Sequence, residues 1–412
     1  MNIKLGQIEA VFNAHIKLSG SKSETNRLLL LQALYPSITI DNGSDSDDSE
    51  VMRKAFASIR SSQDQPITID IRHAGTAMRF LTAFFALQDG KETVLTGSSR
   101  MQERPIQILV EALQQLGADI SYEQQHGFPP LRIKGKKLTG NQVTLAADVS
   151  SQYISALLLI APKLENGLQL TLQGEVTSAP YIQMTLDLLN QIGFKTKVHE
   201  NHIIVFPAVD FPKFTTITVE SDWSSASYYF SIVALSKFGT QITLSNFKTN
   251  SLQGDSALVE IYKDFGVETT FINNSIVLVK TNRQLSTVNY QLNRTPDLAQ
   301  TIAVTSFGLG MACSLNGLNT LKIKETNRLE ALQNELMKLG ATVTITDDSL
   351  TMIPAEKIQS AVTIQTYNDH RMALAFAPLA LKIPLEIADA EVVSKSYPNY
   401  WNDLKRIGFR IN

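Results

Sequence analysis

A short polar segment ahead of an apolar run is the clearest candidate for chemistry in this chain. Residues 21–27 read Ser-Lys-Ser-Glu-Thr-Asn-Arg. Ser21 and Glu24 have the spacing of a capping box, which predicts that a helix begins here. The unpaired N–H groups at a helix start carry partial positive charge, and Lys22 and Arg27 add two cations beside them. Such a combination is typical of a site for phosphate or carboxylate.

Other predicted helix starts carry bases, hydroxyl groups or amide groups, and taken as a set they pair polar helix starts with cations. A cation at a helix start is unfavourable by a few tenths of a kcal/mol unless an anion lies among the charges. An ordinary capped helix explains each segment taken alone, but the set as a whole favours bound anions. The segments are residues 75–79, 150–152, 224–227, 295–297, 324–328 and 369–371.

Nine cations lie in these segments or in the similar segments 100–106 and 394–398. A phosphate monoester carries about −1.5 to −2 near neutral pH, so two phosphorylated carboxylates together bring about −5 to −6. Nine cations could hold that charge, although some will form structural ion pairs, and Arg104 beside Glu103 is the first candidate for one. The cations are Lys22, Arg27, Arg79, Arg100, Arg104, Lys324, Arg328, Arg371 and Lys395.

Other ways of binding phosphate or metal are poorly supported. Lys22 lacks the upstream glycines of a P-loop, and residues 308–310 are too incomplete for a dinucleotide fingerprint. The histidines do not have the spacing of metal ligands on a helix, so we expect anion chemistry with neither metal nor cofactor. The acidic segment 44–50 is interpreted as a solvated turn rather than a metal site.

Composition describes a folded protein with little overall charge. A chain of 412 residues favours two domains, and its net charge of −2 gives no general attraction to nucleic acid or anionic membranes. Cys313 is the single cysteine, which excludes an internal disulfide and suits a reducing compartment. The first residues lack the apolar core of a signal peptide. We therefore expect a cytoplasmic monomer that binds small molecules, with no nucleic-acid or membrane partner.

A repeat organises the elements that must position these residues. Five segments share an amphipathic run, a glycine and a strand-like stretch, and the glycines recur about every 70 residues. Glycine after the last helical turn adopts the left-handed conformation without steric cost. Residues 51–59 suggest a degenerate sixth copy, so we predict an α/β fold of two domains with three units each. The glycines are Gly117, Gly193, Gly266, Gly340 and Gly408.

The best candidate for a domain boundary lies at residues 207–219. Two Phe-Pro pairs interrupt the repeat there before a strand resumes at residue 215. Residues 1–18 read as a strand, and periodicity alone does not assign it to either domain.

Nine motifs, taken in order, resemble those of the 5-enolpyruvylshikimate-3-phosphate synthases in the enolpyruvyl transferase family. They extend from residue 19 to residue 398, and their order and spacing make the resemblance specific. The motifs are SKSETNR (21–27), AGTAMR (74–79), RMQERPI (100–106), SSQ (150–152), QGD (253–255), PDLAQT (296–301), KETNR (324–328), DHRMA (369–373) and KSYP (395–398).

The resemblance implies a fold and a reaction. Each domain would contain three βαβαββ-type units with helices enclosed by sheets, an inside-out α/β barrel, and the active site would lie in the interdomain cleft. Residues 19–219 would form the N-terminal domain, and residues 1–18 and 220–412 a discontinuous C-terminal domain. The implied reaction transfers the enolpyruvyl group of phosphoenolpyruvate to the 5-hydroxyl of shikimate 3-phosphate, releasing phosphate, in the shikimate pathway to chorismate and aromatic amino acids.

The resemblance also implies roles for individual residues. Asp297 would hold the ring hydroxyls and act as the base, while Lys22 and Glu325 remain alternatives for the acid. The residues implied for shikimate 3-phosphate are Lys22, Ser23, Arg27, Ser150, Ser151, Gln152, Ser178, Asp297 and Lys324. Those implied for phosphoenolpyruvate are Lys22, Gly75, Arg100, Gln152, Lys324, Arg328, Arg371 and Lys395.

Some positions depart from the family pattern, and two rival functions remain. His73 and Phe80 replace a usual Asn and Pro beside the enolpyruvyl site, where they bear on substrate affinity and on sensitivity to glyphosate. Thr320 replaces a common Asn. The sister enzyme that acts on UDP-N-acetylglucosamine typically has a loop cysteine, which residues 97–106 lack. A catalytically inactive binding protein on the same scaffold is the second rival, against which Asp297 and Glu325 argue.

Overall fold

The structure is a computed structural model that describes residues 1–8, 13–61, 66–147, 150–174, 176, 179–209 and 214–412. The chain divides into two compact units. The N-terminal unit is Gly20–Val219, and the C-terminal unit combines Met1–Ser19 with Glu220–Asn412.

Short strands alternate with helices along the whole chain. The strands are β1 (Ile3–Gly6), β2 (Ala14–Ile16), β3 (Ile38–Asp41), β4 (Ile67–Asp70), β5 (Glu92–Thr96), β6 (Asp119–Tyr122), β7 (Leu131–Lys134), β8 (Gln142–Ala146), β9 (Leu168–Gln173), β10 (Thr196–His199), β11 (His202–Val205), β12 (Thr215–Thr218), β13 (Gln241–Ser245), β14 (Val267–Ile272), β15 (Ser275–Lys280), β16 (Val288–Gln291), β17 (Cys313–Asn316), β18 (Thr342–Ile345), β19 (Ser349–Ile353), β20 (Val362–Ile364), β21 (Leu385–Ile387) and β22 (Arg410–Ile411).

The α-helices are α1 (Lys22–Leu34), α2 (Asp47–Ser61), α3 (Gly75–Ala86), α4 (Ser99–Gln102), α5 (Gln107–Gln115), α6 (Ser151–Ile160), α7 (Ala179–Ile192), α8 (Trp223–Leu235), α9 (Leu258–Ile261), α10 (Ala299–Gly308), α11 (Arg328–Lys338), α12 (His370–Phe376) and α13 (Tyr400–Arg406). Short 3₁₀ turns supplement them at Ala161–Lys163, Gly254–Ala257, Tyr262–Phe265, Pro296–Leu298, Asn319–Ile323, Ala377–Leu381 and Ala390–Lys395.

Five four-stranded sheets share one strand order. In four of them the two parallel strands flank a helix in sequence, whereas β2 and β13 of the fifth are separated by Gly20–Val219 and α8. Two further strands, antiparallel to each other or to the parallel pair, complete each sheet. The orders are β4-β5-β7-β6, β8-β9-β11-β10, β2-β13-β15-β14, β16-β17-β19-β18 and β20-β21-β1-β22. This arrangement confirms the predicted α/β fold of repeated βαβαββ-type units. In the last sheet the third position is taken by β1, from the start of the chain. In the other four sheets that position is taken by the last strand of the same repeat, namely β7, β11, β15 or β19.

The sixth unit is shorter, as the sequence pattern suggested. Strands β12 and β3 pair in parallel from Thr215 opposite Ile38 to Thr218 opposite Asp41. Helix α1 precedes β3 along the chain and α2 follows it. The two-stranded sheet therefore keeps the parallel pair of the repeat.

The repeat glycines end helical segments in the left-handed conformation. Their φ angles are 97° at Gly117, 110° at Gly193, 71° at Gly266, 102° at Gly340 and 103° at Gly408. A side chain at such φ values is strained, which explains why glycine recurs at these positions. The predicted helix–glycine–strand repeat is confirmed.

The helices between the parallel strands are buried on all sides. Every residue of α10 is buried, and so is every residue of α8 except Ser224. Helices α3 and α6 expose only one residue each in part, Thr76 and Gln152. A helix that is apolar all round must lie inside the protein, which agrees with helices enclosed by sheets.

The prediction of a solvated turn at residues 44–50 is wrong. Helix α2 already begins at Asp47, and Ser44, Ser46 and Ser49 are buried. The Ser49 hydroxyl donates a hydrogen bond to Asn26 of α1 at 2.7 Å. The acidic composition suggested solvent exposure, but the segment packs against α1 through hydrogen bonds of Ser44 and Ser49.

Candidate functional site

In the C-terminal unit, two helix starts place arginines beside carboxylates. The Asp369 side chain caps α12 by accepting a hydrogen bond from the backbone N–H of Arg371 at 2.9 Å. The Asn327 side chain caps α11 in the same way, so Arg328 is its first residue. Both arginines therefore lie in first helical turns, where the helix dipole disfavours them unless negative charge is close.

Negative charge is close to Arg328, because its guanidinium contacts three carboxylates. Its Nε lies 2.6 Å from Asp369 Oδ2, Nη1 lies 2.8 Å from Asp297 Oδ1, and Nη2 lies 2.7 Å from Glu325 Oε2. The Arg328 side chain is only 2% exposed. Burial alone would lower the pKa of Arg328, but Asp369, Glu325 and Asp297 raise it, so the guanidinium remains charged.

Asp297 lies among three of the predicted cations. Arg371 Nη2 donates to Asp297 Oδ2 at 3.0 Å, and Lys324 Nζ lies 3.6 Å from Oδ1. Burial alone would raise the pKa of Asp297, but Arg371, Lys324 and Arg328 hold it well below its usual range. The carboxylate is therefore ionised and already paired with cations.

Ser224 links this cluster to a second buried carboxylate. Its hydroxyl accepts a hydrogen bond from Arg371 Nη2 at 3.3 Å and donates one to Asp255. Burial raises the pKa of Asp255 to about 6. We predicted that residues 224–227 lie ahead of a helix, which is wrong, because α8 begins at Trp223 and its cap is Asp222.

Lys395 reaches the same region through a backbone group. Its Nζ donates a hydrogen bond to the carbonyl of Asn368, the residue before Asp369. Five of the predicted site residues are thus joined by direct ion pairs, and the sixth touches the turn beside them. The five are Asp297, Lys324, Glu325, Arg328 and Arg371.

In the N-terminal unit, Arg27 joins the starts of three helices. Its guanidinium donates to the Thr185 hydroxyl of α7 at 2.7 Å and to the Ser155 hydroxyl of α6 at 3.0 Å. The carbonyls of Ser23 and Tyr181 accept at 2.7 and 3.1 Å. Because every contact lies in the first two turns of a helix, the starts of α1, α6 and α7 must converge.

The surroundings of Arg27 are unusual for a buried charge. The residue is 3% exposed, and the acceptors of its hydrogen bonds in the described part of the chain are neutral oxygens. Burial lowers the pKa of Arg27 to about 10, opposed by attraction to Tyr181 and Glu24. The guanidinium is still protonated at neutral pH, so an anion would be well accommodated near it.

The starts of α3 and α6 are also joined. Gln152 Nε2 donates to the Thr76 hydroxyl at 3.1 Å, directly beside Gly75. A Cβ atom at Gly75 would lie 2.4 Å from Arg104 Nη1, so glycine lets this guanidinium approach the backbone. Ser150 caps α6 by accepting from the Gln152 N–H at 3.4 Å, and Ser151 is its first residue.

Two other predicted residues have carboxylate partners. Lys22 Nζ lies 3.5 Å from Asp48, whose helix was not expected at this position. Arg100 pairs with Glu103 at 2.9 Å and is 44% exposed. We expected Glu103 to pair with Arg104, but the partner seen is Arg100. Ser178 lies outside the described residues.

Sequence reasoning missed three residues that hold this chemistry in place. Asp369 was part of a quoted motif but had no role, although its position as a cap next to His-Arg could have indicated one. Asp255 belongs to another quoted motif, and its hydrogen bond to the site is made with Ser224. Thr185 carried no sequence signal, because its contact with Arg27 joins residues far apart in the chain.

The described residues show neither a cluster of metal ligands nor a membrane-spanning helix. They contain no group of three or more His, Cys, Asp or Glu side chains placed to hold a metal ion. Among the helices that the structure describes, none is long and apolar enough to cross a membrane.

Comparison with known proteins gives consistent matches over almost the whole chain. Residues 7–404 match the family described as EPSP synthase (3-phosphoshikimate 1-carboxyvinyltransferase). The 3-phosphoshikimate 1-carboxyvinyltransferase from Bacteroides fragilis is 46% identical over 97% of this chain and 96% of its own length. The one from Colwellia psychrerythraea is 36% identical over 96% of this chain and 97% of its own.

A solved structure supports the fold. The EPSP synthase from Acinetobacter baumannii superimposes with a TM-score of 0.79 at 21% identity, covering 100% of this chain and 99% of the other. With the sequence match over residues 7–404, these findings establish that the chain belongs to the EPSP synthase family.

Proposed function

We propose that this protein transfers the enolpyruvyl group of phosphoenolpyruvate to the 5-hydroxyl of shikimate 3-phosphate, with release of phosphate, in the shikimate pathway. Relatives named 3-phosphoshikimate 1-carboxyvinyltransferase, at 46% and 36% identity, support this reaction. The observation that carries it is the Asp297 carboxylate among Arg371, Arg328 and Lys324. A reaction between two polyanions needs cations to hold them and an ionised group to accept a proton.

The proposed chemistry has two steps. The 5-hydroxyl oxygen attacks the central carbon of phosphoenolpyruvate while its methylene carbon gains a proton and the hydroxyl loses one. The resulting tetrahedral intermediate loses its phosphate as the C–O bond breaks, and a proton leaves the methyl carbon to restore the double bond. An acid and a base held on either side of the reacting bond serve both steps.

We assign Asp297 as the base, and its setting explains how a carboxylate with a low pKa could act. The three cations that keep it ionised are those proposed to bind phosphoenolpyruvate. When the substrate's phosphate and carboxylate share these cations, their hold on Asp297 weakens and its pKa rises toward the usual range. Substrate binding would thus make Asp297 a stronger base in the complex than in the free protein.

Two candidates for the acid remain, Glu325 and Lys22. Glu325 Oε2 lies 2.7 Å from Arg328, the arginine that also holds Asp297, so it is close to the proposed base. Lys22 lies at the start of α1 and pairs with Asp48. Comparing the two substitutions Glu325→Gln and Lys22→Met for exchange of the methylene protons with solvent would distinguish them.

We propose that the N-terminal unit supplies most contacts to shikimate 3-phosphate. Arg27 supports this because it is a buried cation hydrogen-bonded to neutral oxygens, where a phosphate would add negative charge to that of Glu24. Hydroxyl and amide donors at the start of α6 suit phosphate and ring oxygens. The proposed residues are Lys22, Ser23, Arg27, Ser150, Ser151, Gln152 and Ser178, with Asp297 and Lys324 from the C-terminal unit.

We propose that phosphoenolpyruvate is held mainly by the cations around Asp297. Arg328 and Arg371 are rigidly placed by carboxylates, which suits two-point binding of a phosphate and a carboxylate. The substrate's anionic groups would share these arginines with the carboxylates that contact them. The proposed residues are Lys22, Gly75, Arg100, Gln152, Lys324, Arg328, Arg371 and Lys395.

The test measures phosphate release from phosphoenolpyruvate with each candidate acceptor. We expect turnover with shikimate 3-phosphate and none with UDP-N-acetylglucosamine. Asp297→Asn should lower turnover by at least about 100-fold. The matched control Asp347→Asn removes an exposed carboxylate from the same unit and should leave turnover unchanged. Turnover with the nucleotide sugar, or no turnover with either acceptor, would contradict the proposal.

We also propose that the enzyme acts as a monomer in the cytoplasm. The single cysteine, Cys313, is buried, so no thiol is offered for a disulfide between chains. Light scattering of the purified protein should give a mass near 45.5 kDa, and a stable mass of twice that value would refute the monomer.

A further inference from the structure

A buried carboxylate outside the substrate-binding set holds the turn that leads into α12. Glu335 of α11 is fully buried and lies seven residues after Arg328, so both face the same side of the helix. Glu335 accepts hydrogen bonds from the Tyr367 hydroxyl at 2.5 Å and from the Gln365 N–H at 3.1 Å. Lys338 Nζ contacts both of its oxygens at 2.7 and 2.8 Å.

The turn held by Glu335 has an unusual backbone. The Asp369 N–H donates to the Thr366 carbonyl at 2.8 Å, and the two central residues have positive φ, 53° at Tyr367 and 54° at Asn368. Both values are typical of a type I′ turn. Asparagine tolerates this conformation, whereas a tyrosine adopts it rarely. Surrounding contacts must therefore maintain Tyr367 in it.

This turn carries groups that the proposed phosphoenolpyruvate site depends on. The Asn368 carbonyl accepts a hydrogen bond from Lys395, and the next residue, Asp369, pairs with Arg328 and caps the helix that bears Arg371. A shift of the turn would therefore move one partner of Lys395, one partner of Arg328 and the start of the helix that carries Arg371.

We propose that Glu335 and Tyr367 are positioning residues for phosphoenolpyruvate. Helix α11 grips the turn at two points, through Arg328 to Asp369 and through Glu335 to Tyr367 and Gln365. The second grip keeps Arg371 and Lys395 in the geometry that binds the substrate's anionic groups. This inference rests on the proposed assignment of those cations to phosphoenolpyruvate, and neither Glu335 nor Tyr367 touches the substrate.

The decisive variant is Tyr367→Phe, which keeps the ring and removes only the hydroxyl. We expect the KM for phosphoenolpyruvate to rise about tenfold, which corresponds to about 1.4 kcal/mol. The KM for shikimate 3-phosphate should change less than about twofold. Glu335→Gln keeps an acceptor for the Tyr367 hydroxyl. We therefore expect it to lose less affinity for phosphoenolpyruvate than Tyr367→Phe does.

The matched control is Tyr290→Phe, in the same unit. The Tyr290 hydroxyl also donates to a carboxylate, Asp264 at 2.7 Å, so its loss removes the same kind of bond away from the turn. We expect neither KM to change. Circular dichroism would establish that all variants are folded, and calorimetric binding of phosphoenolpyruvate would measure affinity without turnover.

The outcomes separate this inference from the proposed function. An inactive wild-type protein would contradict the reaction, and calorimetry would still decide whether Tyr367 affects phosphoenolpyruvate binding. Unchanged affinity in folded Tyr367→Phe, or an equal loss for both substrates, would overturn the positioning role while leaving the reaction intact. Absence of phosphoenolpyruvate binding to the wild-type protein would overturn both.

Discussion

The substitution Asp297→Asn tests whether this carboxylate substitutes for substrate anions in the free protein. Asp297 accepts hydrogen bonds from Arg328 at 2.8 Å and Arg371 at 3.0 Å. A hydrogen bond to a charged partner contributes about 1.5–3 kcal/mol, and a neutral one about 1 kcal/mol. An asparagine oxygen can keep part of these contacts, so we expect the free energy of unfolding to fall by about 2–3 kcal/mol.

The same substitution should strengthen phosphoenolpyruvate binding, although it abolishes most turnover. In the wild-type protein an incoming anion must share cations that are already paired with Asp297. If about half of that pairing energy is released, affinity rises roughly tenfold, since 1.4 kcal/mol is a factor of ten. Affinity for shikimate 3-phosphate should fall, because Asp297 is proposed to hold its hydroxyls.

Two measurements check this reasoning. Urea denaturation gives the free energy of unfolding, and thermal unfolding at increasing phosphoenolpyruvate concentration gives the affinity. The lowered pKa of Asp297 means that its stabilisation is present above its unfolded pKa of about 3.9 and is lost as the pH falls further. The difference between wild type and variant should therefore shrink on acidification. Weaker phosphoenolpyruvate binding to the variant would refute the reasoning.

Three further predictions concern other buried contacts. The guanidinium carbon of Arg27 lies 5.6 Å from the centre of the Phe80 ring, so Phe80→Leu should raise the KM for shikimate 3-phosphate about threefold or more and spare that for phosphoenolpyruvate; steady-state kinetics with the pattern reversed would contradict this. Burial raises the pKa of Asp255 to about 6, so its contribution to folding is greatest below about pH 4 and is lost as the pH rises through 6. Asp255→Asn, which keeps an acceptor for Ser224, should therefore gain up to about 3 kcal/mol relative to wild type between pH 4 and 7 in urea denaturation, and a pH-independent difference would contradict this. The Ser21 hydroxyl caps α1, so Ser21→Ala should cost about 1 kcal/mol of unfolding free energy by the same method, and no loss would show that the cap is not needed.

Local patterns in the sequence predicted the repeat well because their physical requirements are local. Gly266 and Gly340 occur where the chain must take positive φ, and that need is visible in the residue type itself. The cap at Ser21 follows from the residue three positions later. Because these local signals occur again in each repeated unit, the α/β architecture could be predicted without knowing how the units pack.

The contacts that complete the site could not be predicted in this way. Thr185 meets Arg27 across 158 residues of sequence, and Asp369 meets Arg328 across 41. The prediction for segment 44–50 was wrong for the same reason. Ser49 is buried and donates a hydrogen bond to Asn26 of another helix. Charge composition indicates affinity for water, whereas burial depends on which surfaces the fold brings together.

The position of β1 has a consequence for the order of folding during synthesis. Ile3 pairs with Ile387 and Leu5 with Ile411, so β1 finds its neighbouring strands only after residues 385–411 have left the ribosome. The continuous segment Gly20–Val219 has its partners within itself and can fold earlier. Strand β1 must therefore remain without its strand partners while Gly20–Val219 is synthesised and folds.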